Sequence, residues 1–278
     1  MIGNRIPGLE KAKLRLVRAV QRFRRPQEDS LVWGQRNFKQ FRVDFADVEG
    51  YYWPQSEAIW SFLLSAQNSC GISGNFLELG VFRGRSAHLA AQFLAKSDTC
   101  ILVDLADLSA VGRRMAGYRA EPVLIQSASD RLNQTKAAAY RHSCRLIHVD
   151  GDHNGHGVLT DLTIAKDYLA QGGIIAVDDY YSPRYPQITT ATCKWLDLNP
   201  EIRMVLCGFN KAYLVHTRDY DLYESIIRSA MWPYLEALGE DISLAKTSHA
   251  HDMGCWGAIT KGERSIIGSD RDPDDIPY

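Results

Sequence analysis

Five short apolar runs, each with a polar or acidic residue at or near its end, constrain this chain more than any other feature. They span residues 76–79, 99–104, 123–126, 144–150 and 173–178. Between them, Ala87, Ala90, Ala91 and Leu94 fall at i, i+3, i+4 and i+7, and Val158, Leu162, Ala165 and Leu169 at i, i+4, i+7 and i+11. That is the spacing of a buried helix face. Strands that are apolar nearly throughout, alternating with such helices, predict a parallel sheet covered on both sides. The pattern changes once, at 202–206 and 212–215, two strand-like runs separated by Gly208, Phe209 and Asn210. A short turn between two strands predicts an antiparallel hairpin. The expected fold is therefore α/β, a doubly wound, mostly parallel seven-stranded sheet with the hairpin at one edge. Sheets of this kind bind ligands beyond the carboxyl ends of their strands, at the switch point.

Composition narrows the classes. The chain has 278 residues, 45% of them hydrophobic and 23% charged, which suits one large domain with extensions. Lys and Arg number 32 against 33 Asp and Glu, so there is no global basic field of the kind that coats nucleic acid. The six cysteines form no C-x-x-C pair and no zinc spacing. Cys100, Cys144 and Cys207 sit in the apolar runs and read as buried thiols of a reducing compartment. No run approaches the ~18 apolar residues of a membrane span, and the N-terminal residues lack a secretory apolar core. A cytoplasmic location is expected.

The chain divides into a basic helical extension (1–50), a central domain (51–217), a helical C-terminal extension (218–260) and a flexible tail (261–278). Residues 1–26 carry eight basic side chains, among them Arg15, Arg18 and Arg22, with Leu9, Leu16, Val20 and Phe23 at near-helical spacing. A solvated helix packing on its own domain or on a second copy of the chain is the plain reading. Contact with a membrane surface or an anionic partner is the sharper one.

Candidate site residues cluster at the strand ends. After the first run, Gly80 and Gly84 permit a tight turn and close approach of a ligand to backbone, and the N–H groups of the following helix face the same crevice. The spacing is G-x-x-x-G, not the G-x-G-x-x-G of a nicotinamide site, and no Gly-Lys-Ser/Thr ending marks a P-loop. Asp104 ends the second run, where a carboxylate accepts ribose hydroxyls or caps a helix. Gln126 and Ser127 end the third and are candidates for an adenine edge. Asp150, in the stretch from His148 to His153, and the pair Asp178 and Asp179 end the fourth and fifth. If those strands are neighbours, three carboxylates meet in one crevice; they repel one another and call for a cation. Oxygen ligands with room for water and substrate suit Mg²⁺ or a similar divalent ion.

The combination E-L-G-x-x-x-G-x-S at 78–86, Asp104, D-G-D-H at 150–153 and G-G-x-x-x-x-D-D-Y at 172–180 resembles the class I S-adenosylmethionine-dependent methyltransferases, which have a Rossmann-like sheet. Within them it resembles the metal-dependent O-methyltransferases acting on sugars of macrolide and aminocoumarin natural products. The resemblance covers roughly 51–217. It implies that Asp150, Asp178 and Asp179 hold the metal, that His153 is the catalytic base, that Glu78 lies near the methionine amino group, with Ser86 of the same motif also at the cofactor, and that Asp104 binds the ribose. The implied activity is methyl transfer from S-adenosylmethionine to a hydroxyl of a sugar or small natural product.

The aromatic stretches 50–57 and 180–185 are candidates for a substrate lid or for core. His156 is a reserve base, and His249, His251 and Asp252 are a remote candidate for a second metal site. Cephalosporin hydroxylases resemble the same layout, so a metal-dependent hydroxylase is one alternative. A non-catalytic cofactor-binding protein is the other.

Overall fold

The apolar runs form strands where their composition places them. A computed structural model describes residues 28–118, 120, 122–246 and 254–261. The basic segment 1–26, the His249, His251 and Asp252 cluster and the tail from 262 lie outside the described residues. The first five strands are β1 (Asn75–Leu79), β2 (Cys100–Asp104), β3 (Pro122–Gln126), β4 (Cys144–Val149) and β5 (Leu169–Val177). The hairpin is β6 (Ile202–Gly208) and β7 (Lys211–His216). Phe209 and Asn210 turn it at φ 47° and 68°, left-handed geometry that suits the twist of a two-residue hairpin.

Two further strands, β8 (Ile242–Ala245) and β9 (Trp256–Thr260), extend the sheet. The order is β3-β2-β1-β4-β5-β7-β6-β9-β8. Nine strands therefore replace the expected seven, and the hairpin is interior rather than at the edge, because β9 pairs in parallel with β6 through Leu206 and Trp256. The stretch 218–260, expected as a helical extension, holds β8 and β9 beside its helices. Each added strand is four or five residues long, too short for its alternation to stand out from its flanks.

Helices cover both faces. On one lie α1 (Glu28–Asp44), α2 (Pro54–Ser69), α3 (Arg85–Ala91) and α4 (Ser109–Met115), followed on the same side by α7 (Tyr220–Ile226) and α8 (Trp232–Leu238). On the other lie α5 (Gly155–Tyr168) and α6 (Pro186–Leu198). The strands feed both cores by alternation: Phe76, Leu102, Leu146 and Ile174 join the first, while Leu77, Ile101, Ile147 and Ile175 join the second. Both faces are thus sealed, which explains why the runs read as continuously apolar. Among the described residues no helix is long and apolar enough to cross a membrane.

The first core contains one titratable side chain with a clear cost. His88 on α3 is fully buried, 3.2 Å from the Tyr118 hydroxyl through Nδ1, with its ring centroid 4.6 Å from that of Phe45. Burial, and then the charge of Arg114, push its pKa down to about 4. The folded state therefore favours neutral imidazole, and this contribution is complete above the unfolded value near ~6.5 and lost as pH falls toward 4. Unfolding in denaturant should show stability dropping by about 3 kcal/mol over that window, and His88→Phe should remove most of the drop.

Candidate functional site

The crevice opens where β1 and β4 lie side by side and the chain winds away in both directions, the switch point of the sheet. Backbone bonds tie the strand ends together: Asp150 N–H donates to the Leu79 carbonyl (2.9 Å) and Gly80 N–H to that of Val103 (2.9 Å). Gly80 has φ 83°, and a Cβ there would come within 2.0 Å of the Asp150 carbonyl oxygen. Only glycine fits, since both the left-handed backbone and the close approach exclude a side chain. Gly84, at φ 78°, starts α3 and lets it approach Val111; it does not line the crevice.

The crevice encloses about 1120 Å³, and its walls include Gly80, Asp104, Ser127, Asp150, Asp178 and Asp179. Asp104 is more than a crevice carboxylate. Its Oδ2 accepts from the N–H groups of Val81 (2.8 Å) and Phe82 (3.1 Å), and its Oδ1 from Ala106 (2.8 Å). It clamps the glycine turn to the loop after β2. Gln126 turns aside, donating to the Leu105 carbonyl (3.1 Å), and is not part of the wall. The structure thus brings Ser127 but not Gln126 to the crevice wall.

Glu78 and Ser86 lie beneath the crevice wall, both buried. Glu78 Oε1 accepts from the Ser86 hydroxyl and lies 2.7 Å from His148 Nδ1. Glu78 Oε2 is buried with no hydrogen-bond partner among the described residues, an open acceptor next to the Gly80 turn in sequence.

At the ends of β4 and β5 the side chains fall into two overlapping sets, His148 with Asp150 and Asp178, and Asp150 with His153 and Asp179, each offering ligand atoms within 4.8 Å of one another. Asp179 has φ 54°, a conformation that costs an L-residue roughly 1–2 kcal/mol. Its surroundings hold it there: Asn210 Nδ2 donates to Oδ1 (2.6 Å), Tyr180 N–H donates to the Asn210 carbonyl (2.9 Å), and Asp179 N–H donates to Asp178 Oδ1 (2.8 Å). His153 Nε2 lies 3.1 Å from Asp179 Oδ2 and 3.9 Å from Asp150 Oδ1, and its ring packs 4.3 Å from Tyr185.

Charge is unevenly shared. Burial alone would raise Asp178, but the Lys211 ammonium, 2.6 Å away, and His148 hold it well below the usual carboxylate range. Burial and then the Asp178 charge push Asp150 well above that range. Crowded like charges of this kind favour a cation among them.

His148, Asn210 and Lys211 complete the site, although the sequence reading assigned them no role. Their only signal was indirect: a hairpin beside β5 carries its turn to the acidic pair. His156 is exposed at the start of α5, and is not among the residues walling the crevice. Of the aromatics, Tyr51, Trp53 and Tyr181 are exposed, and Tyr51 and Phe82 stack with ring centroids 5.6 Å apart. Trp53 also lines a neighbouring cavity of about 600 Å³ with Tyr181, Cys207, Phe209 and Ile259. All six cysteines are free thiols.

Residues 77–180 match the family model described as a methyltransferase domain. Among solved structures, a Corynebacterium glutamicum protein is 14% identical over 65% of this chain and 89% of its own, with TM-score 0.49. CalS11, a TDP-rhamnose 3'-O-methyltransferase of calicheamicin biosynthesis, is 18% identical over 76% and 96%, with TM-score 0.46. MycE methyltransferase of mycinamycin biosynthesis, in complex with Mg, SAH and mycinamycin VI, is 15% identical over 65% of this chain and 54% of its own, with TM-score 0.48. No curated protein sequence matches the chain. The methyltransferase-domain match thus runs from β1 to the start of the loop after β5 and takes in the crevice residues Gly80, Asp104, Ser127, Asp150, Asp178 and Asp179.

Proposed function

We propose that this chain is a divalent-metal-assisted O-methyltransferase acting on a hydroxyl of a sugar or small natural product. The observation that carries the reading is the meeting of Asp150, Asp178, Asp179 and His153 on the wall of the crevice that also holds Gly80 and Asp104. Hard carboxylate donors beside open volume suit an ion that keeps places for water and substrate oxygens. The push on Asp150 from its charged neighbour is what a bound cation would relieve.

For the methyl donor, the buried free Oε2 of Glu78 is an acceptor for the methionine ammonium, and Gly80 leaves room for the ligand against backbone. Asp104 accepts from the ribose hydroxyls with the lone pairs its three backbone contacts leave free, and Ser127 lines the adenine side. The donor brings an electrophilic sulfonium methyl, and a divalent ion of the Mg²⁺ type supplies Lewis-acid activation of the acceptor hydroxyl. Asp150, Asp178 and Asp179 would hold that ion. His153 takes the hydroxyl proton on its imidazole, its ring fixed between Tyr185 and the carboxylates of Asp150 and Asp179. The exposed Trp53 and Tyr181 flank the acceptor. Holding both reactants in one crevice supplies much of the acceleration, because displacement at a methyl carbon depends on alignment. The cytoplasmic location expected from the free thiols belongs to the same reading.

Two tests follow. Asp104→Ala should weaken S-adenosylhomocysteine binding at least tenfold by calorimetry, since charge-assisted hydrogen bonds are worth ~1.5–3 kcal/mol, and should also lower the melting temperature because the glycine turn loses its clamp. Unchanged affinity would move the ribose elsewhere. EDTA should stop methyl transfer and leave S-adenosylhomocysteine binding intact, with Mg²⁺ restoring turnover, while His153→Ala should lower kcat by ~10²–10⁴. Full turnover in chelator would remove the metal, and reactivation by iron alone with oxygen consumed would favour the hydroxylase alternative.

A further inference from the structure

The last charged group at the site comes from outside the strands that carry the acidic residues. Lys211, the first residue of β7, is 1% exposed. Its ammonium lies 2.6 Å from Asp178 Oδ2, 3.0 Å from His148 Nε2 and 4.3 Å from the centroid of the Tyr52 ring. An ammonium has donors only, so the His148 contact is a hydrogen bond when Nε2 carries the lone pair and Nδ1 the proton, which then goes to Glu78. A lysine is almost never fully buried without a partner, and hydrophobic packing alone would be served as well by Met or Leu. What the ammonium adds is charge, placed directly behind the carboxylate cluster.

We infer that Lys211 is a resident cation of the metal site, a positioning residue that fixes Asp178 and holds down the affinity of the site for a divalent ion. The inference rests on the proposed metal reading. The Lys211 ammonium sits on Asp178, so an incoming divalent ion meets carboxylates one of which is already paired with a positive charge. Because the lysine is excluded from water, little screens its repulsion of that ion. It is also covalently part of the fold: the carboxylates stay organised without metal, and the ion is held loosely enough to exchange. The short contact with Asp178 further orients that carboxylate, whose other oxygen is already taken by the Asp179 N–H.

A purely structural lysine and a resident cation make opposite predictions for metal binding. If Lys211 only props Asp178 in place, removing it disorders a ligand and weakens the site. If it opposes the ion by charge, removing it strengthens the site. Calorimetric titration of the full chain with Mn²⁺ alone, checked by the loss of the free-ion electron paramagnetic resonance signal, separates them. Lys211→Met should bind Mn²⁺ at least tenfold more tightly than wild type, and Lys211→Arg should bind like wild type. Circular dichroism reports whether the Met variant folds. Should it fail, Lys211→Gln, neutral but still a donor to Asp178, carries the same expectation. Neutral variants that bind Mn²⁺ equally or more weakly than a wild type that does bind it would overturn the inference and leave the metal reading standing. Absence of binding by wild type and neutral variants alike would overturn both.

Discussion

Two parallel strands brought backbone to backbone just past their ends are the contact on which the rest of the site depends. The Asp150 N–H bonds the Leu79 carbonyl, and the Asp150 carbonyl sits where a side chain on Gly80 would be. This leaves no room for any residue but glycine, and it fixes the relative height of the two loops that face the crevice. One loop offers backbone held by Asp104 at the end of β2, the other offers Asp150 and His153. On the proposed function, a change in the spacing of β1 and β4 would separate the region suited to the methyl donor from the region suited to the acceptor, and alignment in methyl transfer has little tolerance for that.

The interior beneath the crevice is charged, which a protein core ordinarily avoids. Glu78, His148, Lys211 and Asp178 run as a chain of contacts under the wall. Each neighbour satisfies the next, and this is the condition under which buried charge is tolerated. The open acceptor on Glu78 and the cluster at Asp150, Asp178 and Asp179 stand at opposite ends of that chain.

The hairpin contributes more than two strands of the sheet. Its turn supplies Asn210 to the strained Asp179, and its first strand residue supplies Lys211 to Asp178. A left-handed aspartate persists only where surrounding bonds over-determine it. Here Asn210 bonds both its side chain and, through its carbonyl, the following backbone N–H.

Strand positions, the alternation of faces and the acidic residues at the strand ends were legible in the sequence because they are local: a strand sealed on both faces must be apolar along its length, and its end is where polarity returns. The glycine turn, Asp104 and the Asp178 and Asp179 pair could be named from those rules. β8 and β9 could not, since four or five residues carry too little periodicity and their pairing comes from distant chain. Nor could Lys211, Asn210 and His148, whose roles exist only because β7 lies antiparallel to β5 and brings a turn from more than thirty residues away against the acidic pair. Gln126 shows the converse, a residue at the expected strand end whose side chain found a nearer backbone carbonyl. Chemistry available to each strand end was written in its own few residues. Which of those ends meet, and which outside lysine pairs with Asp178, was decided by strand order, a property of the whole sheet.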